Sequence, residues 1–319
     1  MGSSENNESN LVSVLMNCFN GEEFVTLAIQ SVLNQSYKNW ELIFIDNASD
    51  DKTPEILESF SSEKRIKYKR NVHNEPLGAA RNMGLSLCSG KYIAFLDSDD
   101  LWEKDKLQSQ VQILETQNDV AFVYSNFTVL TGNPNDSINT LRGKYWLPRP
   151  SGHVFSRFLR EYPANMQTVI VRRSVLAELN LEFDPSLHLA EEFYFFMMIL
   201  HKYKAQYQSK VTAGYRSHAN QDSVTKLSLY PIEASYIINQ FKENIDGFLT
   251  SYREEINFFE AKISYYIARA QLRDGETTKA LDSLKQAGSV SLRLRCLYWT
   301  LKCSPYVFTA VHKISNRYI

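Results

Sequence analysis

No stretch of this chain of 319 residues approaches the roughly 18 consecutive apolar residues that a membrane span requires. Cysteine is scarce. Cys18, Cys88, Cys296 and Cys303 show no paired spacing, which excludes a zinc ribbon or a disulfide scaffold. They read as small hydrophobes in a reducing compartment. An excess of charge of either sign is also missing. The formal net charge of −1 leaves no footprint for nucleic acid, so no nucleic-acid partner is expected. Residues 1–10 have neither a basic n-region nor an apolar h-region, and Asn6 stands where a myristoylation signal wants Ser or Thr. They read as a disordered tail, and the chain is expected in the cytoplasm. No Gly-x-Gly-x-x-Gly follows the first apolar segment, which excludes a dinucleotide-binding fingerprint. What remains is an ordinary globular composition, 44% hydrophobic and 22% charged.

The first 130 residues alternate strand and helix patterns. Apolar runs at 11–16, 40–45, 66–69, 91–96 and 120–127 read as strands. Between them, 22–35, 78–88 and 104–115 carry apolar residues at helical spacing. Thr53-Pro54 reads as the cap and first position of a further helix. This alternation predicts an α/β fold with a mostly parallel, Rossmann-like sheet flanked by helices. Residues 131–150 read as a loop or hairpin, 168–172 as a strand, and 191–203 as a core helix. From about Tyr230 only helical patterns appear. Tyr265, Ala268, Gly275, Ala280 and Ala287 loosely fit one tetratricopeptide-type helical hairpin. The expected organisation is a tail at 1–10, a catalytic domain at 11–229 and an all-helical extension at 230–319.

The fourth strand pattern ends in Asp97-Ser98-Asp99-Asp100. Three carboxylates within four residues repel one another, and a cation or a catalytic task is the usual reason to keep them together. In open α/β sheets, ligands sit beyond the carboxyl ends of strands. Asp-x-Asp there offers hard oxygen ligands to Mn²⁺ or Mg²⁺, whose remaining ligands come from a substrate diphosphate and water.

Four further segments surround this motif. They are Val12 to Gly21, Ser31 to Asn47, Gly78-Ala79-Ala80-Arg81-Asn82-Met83-Gly84 with Ser89 to Ile93, and Ala190-Glu191-Glu192-Phe193. Together they resemble the family 2 glycosyltransferases of the GT-A fold, of the type that builds bacterial surface polysaccharides. The resemblance implies transfer of a sugar, with inversion, from a nucleotide-diphosphate sugar to a glycan or lipid-linked acceptor. UDP is the expected nucleotide. It assigns Asn17 and Phe19 to the base, and Asp46 and Asn47 to base and ribose, although the family usually has an acid where Asn47 stands. Arg81 matches a basic residue near the nucleotide; a surface Arg paired with Glu75 is the plainer reading. Asp99 would ligate the metal directly, and Asp97 would contact ribose or ligate through water. Asp100 reads as a helix cap. In the acidic pair, Glu192 matches the usual catalytic base and Glu191 its neighbour. Their plainer role is a favourable first helical turn. Arg216 would bind phosphate and His218 would approach the metal.

The last 37 residues hold Lys285, Arg293, Arg295, Lys302, Lys313 and Arg317 among aromatics, with no acid. This suits an anionic membrane surface or a core against the catalytic domain. Two alternatives to a glycosyltransferase stay open. A nucleotidyltransferase would need a Gly-rich basic loop after the first strand, but 17–23 has one glycine and no Lys or Arg. A non-catalytic scaffold would not need Asp97, Asp99 and Glu192.

Overall fold

Seven consecutive residues from Trp40 to Asp46 are buried, which requires packed layers on both faces of their strand. The computed structural model describes residues 10–130, 149–218, 226–288, 290 and 292–303. The chain divides into two units. The first is Met1–Phe158 with Tyr162–Gln221, and the second is Leu159–Glu161 with Asp222–Ile319.

The first unit opens with β1 (Val12–Cys18), α1 (Val25–Leu33), β2 (Trp40–Asp46), α2 (Thr53–Ser59), β3 (Ile66–Arg70), α3 (Leu77–Leu87) and β4 (Tyr92–Phe95). It continues with β5 (Leu101–Trp102), α4 (Lys106–Thr116), β6 (Val120–Leu130), α5 (Phe155–Arg160), whose last two residues fall in the second unit, and β7 (Ile170–Arg172). It closes with α6 (Arg173–Leu179), α7 (Glu191–Lys202) and β8 (Lys204–Arg216). The strands form one eight-stranded sheet in the order β3-β2-β1-β4-β7-β6-β8-β5. Strands β1 to β4 pair in parallel, as do β6 and β8, while β7 and β5 run antiparallel to their neighbours. The sheet is therefore mixed. From β1 the chain goes out to β2 and β3, then returns on the other side of β1 as β4. That reversal places a crevice beyond the carboxyl ends of β1 and β4.

Sequence periodicity missed β8 and β5. Ala205, Tyr207, Val211, Ala213 and Tyr215 do recur at period two along β8, although Ser209 interrupts the run. The expected cap Thr53 is instead the first residue of α2, and its hydroxyl accepts the Gly21 N–H at 3.0 Å. The sequence assignments to 1–9, 131–148, 219–225 and 304–319 lie outside the described residues.

One face of the sheet buries Val12, Val14, Met16, Leu42 and Phe44 against Ala28, Ile29 and Val32 of α1 and Leu107, Val111 and Leu114 of α4. On the other, Phe95 and Phe122 meet Phe196, while Phe183 stacks on Phe195 at 3.9 Å. Helix α3 lies so close that a Cβ on Gly84 would be 2.2 Å from Leu15 Cδ1. Close packing leaves no room there for a larger residue.

At the amino end of the central strands a buried carboxylate joins three segments. Glu41 Oε1 accepts Ser13 Oγ at 2.6 Å and both the N–H and hydroxyl of Ser89, while Lys67 holds Oε2 at 2.5 Å. Burial pushes the Glu41 carboxyl up, but these donors outweigh it and bring its pKa below the ordinary value. A second buried charge lies on α4. Lys106 is fully buried, donates to Gln110 Oε1 and sits 4.7 Å over the Trp102 ring. Burial pushes its pKa well down.

The second unit is helical: α8 (Tyr230–Asn244), α9 (Phe248–Ser251), α10 (Arg253–Arg273), α11 (Thr277–Gly288) and α12 (Leu292–Cys303). Ala261, Tyr265, Ala268, Ala280, Leu284, Ala287, Leu297 and Leu301 form its core. Gly275, at φ +80°, makes the turn between α10 and α11 in a conformation that favours glycine. No helix among the described residues is long and apolar enough to cross a membrane.

Candidate active site

The loops after β1 and β2 are laced into one surface. Asn20 N–H donates to Ser49 Oγ at 3.0 Å, and Asp50 N–H donates to Asn20 Oδ1 at 2.9 Å. Asp51 accepts the N–H of Glu22. Asn20 and Ala48 turn these loops at φ 52° and 66°, which is uncommon for residues with a side chain. Beside them, Phe19 leaves its ring 48% exposed. Asn17 Nδ2 is buried and has no hydrogen-bond partner among the described residues. An orphaned donor two residues before an exposed ring is a combination that a planar, acceptor-rich group can satisfy.

Asp46 and Asn47 are placed differently from open ligand contacts. Asp46 is fully buried and accepts Ser49 N–H and Tyr68 Oη, both at 2.8 Å. Asn47 uses its whole amide on the next loop. It donates to Asn74 Oδ1 and the Glu75 carbonyl, and accepts from Asn71 Nδ2 and Glu75 N–H. Both side chains act here by shaping the loops.

The carboxylate loop follows β4. Asp99 Oδ2 lies 2.9 Å from His218 Nε2, and this contact raises the imidazole pKa. Asp100 does not cap the next helix. It is buried and accepts the Arg216 backbone N–H at 2.7 Å, because β8 ends against this loop. Its Oδ2 has no partner among the described residues. Burial, then Asp99 and Asp97, push its pKa well up. Arg216 is also buried. Its Nε donates to the Asp99 carbonyl at 2.8 Å, and its guanidinium lies 4.6 Å over Phe24. It holds the loop.

Arg81 ties this loop to α7. Its Nη2 donates to Asp97 at 3.0 Å and its Nη1 to Glu191 at 2.5 Å. The alternative pairing with Glu75 gives way to two more distant carboxylates, since α3 turns Arg81 inward beneath them. Burial alone would lower the Arg81 pKa; Glu191, Asp97 and Glu192 overcome this and raise it. Glu191 is buried in the ion pair. Glu192 is partly buried and accepts no hydrogen bond from any described residue. Burial, opposed by Arg81 and reinforced by Glu191 and Asp97, raises its pKa to about 8. A carboxylate with a free acceptor and a pKa near neutrality suits a general base. Tyr162, which sequence reasoning missed, lies close enough to Glu192 for that carboxylate to raise its phenol pKa; nothing in its local pattern marks it.

A family model described as Glycosyl transferase family 2 matches residues 13–179, just over half of the chain. The chain belongs to glycosyl transferase family 2. An Escherichia coli relative, UDP-Glc:alpha-D-GlcNAc-diphosphoundecaprenol beta-1,3-glucosyltransferase WfgD, is 30% identical over 238 residues, covering 73% of this chain and 87% of the relative. The structure of Staphylococcus aureus TarS 1-349 in complex with UDP-GlcNAc aligns with a TM-score of 0.63 at 17% identity, covering 93% of this chain and 88% of TarS. The Pyrobaculum calidifontis mannosyltransferase PcManGT, in complex with GDP-Man and Mn²⁺, aligns at 0.58 and 16% identity, covering 96% and 87%. These likenesses fix the fold as GT-A.

GT-A enzymes commonly use a divalent metal, and the carboxylates at the β4 end are the candidate donors for one. Among the described residues, Asp97, Asp99 and His218 do not converge into a cluster of three ligands. Asp97 is turned to Arg81 and Asp99 to His218. Mg²⁺-type ions are usually bound by one or two carboxylates plus substrate phosphate, so such a cluster is not required. The orphaned Asp100 oxygen and the mutual repulsion of the three carboxylates fit a nearby cation.

Proposed function

We propose that this family 2 glycosyltransferase moves a sugar from a UDP-sugar, with inversion, to a polyprenyl-diphosphate-linked sugar in surface-polysaccharide assembly. One observation carries the reading: Arg81 engages both Asp97 and Glu191, leaving the adjacent Glu192 carboxylate without a hydrogen bond. Phe19 and Asn17 receive the base, and the Asp46 and Asn47 loops support it. Glu192 takes the proton of the acceptor hydroxyl. The oxygen bonds to the anomeric carbon from the face opposite the diphosphate, and the carbon–diphosphate bond breaks to release UDP. Mn²⁺ or Mg²⁺ at Asp99, with Asp97 or His218 as further donors, would neutralise the leaving diphosphate. The donor class and the lipid carrier are suggested by WfgD, whose name states both.

The test is incubation with UDP-glucose and a GlcNAc-diphospholipid acceptor, with Mn²⁺ or EDTA. Formation of UDP and a β-linked product only with metal supports the proposal. Transfer with retention, or equal transfer in EDTA, refutes the corresponding part.

We also propose that the enzyme works on the cytoplasmic membrane face. In the second unit, Lys285, Gly288, Arg295, Tyr298 and Trp299 line a shallow cavity of about 220 Å³, with Lys302 Nζ 4.8 Å from the Trp299 ring. Trp299 is 52% exposed. Aromatics among cations favour an anionic interface. Flotation with anionic but not neutral liposomes, reversed by salt, is the expected result.

A further inference from the structure

The segment just before the 3-10 turn Met166–Thr168 carries a buried group with no structural use. The Tyr162 hydroxyl has no hydrogen-bond partner among the described residues. Its ring is fixed on two sides, edge-on to Phe158 at 5.7 Å and to Phe193 at 5.1 Å. Phe193 follows Glu192 in α7. Burial, and then Glu192 as the one charged group acting on it among the described residues, raise the phenol's pKa well above normal. A buried donor without a partner is costly, and a native protein that keeps one has a reason to do so. Phenylalanine would fill the same ring position without that cost.

A donor lacking a partner and a carboxylate lacking a donor therefore share one neighbourhood. We infer that the Tyr162 hydroxyl is a positioning residue that donates a hydrogen bond to the ionised Glu192 carboxylate and aims it at the acceptor. This rests on the assignment of Glu192 as base. The other groups facing Glu192 are Arg81 of α3, Glu191 of its own helix and Asp97 at the end of β4. Arg81 is already engaged by the last two, so among the described residues Tyr162 is the donor left to Glu192.

Tyr162→Phe keeps the ring contacts and removes the hydroxyl. One hydrogen bond to a carboxylate shifts its pKa by roughly one unit. The acid limb of kcat against pH is expected to move up by about one unit, giving about 10-fold less turnover at pH 7. KM for UDP-glucose should not change. In a Glu192→Gln background the same substitution should have no further effect on kcat. An unmoved limb overturns the inference. A raised acceptor KM with an unmoved limb does so as well, since the hydroxyl would then serve the acceptor.

A second measurement needs no activity. Glu192 holds its proton longer in the folded chain than in the unfolded one, so stability falls as pH rises toward its folded pKa. Removing the donor extends that fall upward. Tyr162→Phe should lose more thermal stability than wild type between pH 7 and pH 9. Equal losses overturn the contact. Absence of sugar transfer by the wild type, with the larger loss still seen, would sink the functional reading and leave the contact standing.

Discussion

Arg81 of α3 and Glu191 of α7 stand 110 positions apart in the chain, and their Nη1 and Oε1 atoms are 2.5 Å apart. The same guanidinium holds Asp97. One buried cation thus fixes the spacing between the carboxylate loop after β4 and the start of α7. It also distinguishes two adjacent carboxylates: Glu191 is engaged by Arg81, and Glu192 accepts no hydrogen bond from a described residue.

The pair should separate by mutation. Glu192→Gln is expected to lower turnover by about 10² to 10⁴ with donor affinity and melting temperature nearly unchanged. Glu191→Ala leaves Arg81 short of a buried partner and should destabilise by about 3–5 kcal/mol. Steady-state kinetics and thermal melts of both variants check this. A stable Glu191→Ala beside an active Glu192→Gln would reverse the assignment.

The base also sets a pH dependence. Burial, Glu191 and Asp97 raise Glu192 to about 8 despite Arg81, and a base works only when deprotonated. In the free enzyme, kcat/KM should therefore rise tenfold per pH unit below about 8 and level off above it. A profile flat from pH 6 to 9 would contradict this. The limb should vanish in Glu192→Gln, whatever slower activity that variant keeps.

Metal dependence should converge on Asp99. UDP binding followed by calorimetry is expected to weaken at least tenfold, about 1.4 kcal/mol, when EDTA replaces Mn²⁺ or when Asp99 becomes Asn. Wild-type affinity in both cases would remove Asp99 from the metal site.

Lys106 gives a prediction about stability alone. Its folded pKa is held well below its unfolded value by burial. Between those two values the unfolded chain binds the extra proton, so stability should climb as pH rises from 7 toward 10. Urea midpoints for Lys106→Met should lack that climb. Parallel curves for the two proteins would show that Lys106 keeps its charge inside.

The sequence carried the local part of this site and not the long-range part. Asp97 and Asp99 were readable because an apolar run ends in them and the sheet dictates what lies beyond a strand end. Glu191 and Glu192 were readable as a pair. The partner of Arg81 was not, because its nearest acid in sequence, Glu75, loses to carboxylates on distant elements. Asp100 looked like a helix cap because the strand that claims it, β8, begins more than a hundred residues later. Lys106 sits in a helix whose polar residues suggest solvent, yet Trp102 and Gln110 enclose it.

The clasp of Ser13, Glu41 and Ser89 lies at the opposite end of β1, β2 and β4 from the loops that hold Phe19, Asp46 and Asp99. Strand register is thus anchored at the end of the sheet away from the candidate site. The two loops are laced to each other by Asn20, Glu22, Ser49, Asp50 and Asp51, so a change in one is felt in the other before it reaches the clasp. A substitution in the clasp is then expected to loosen strand pairing, and one in the loops to alter the mouth of the crevice, with little exchange between the two effects.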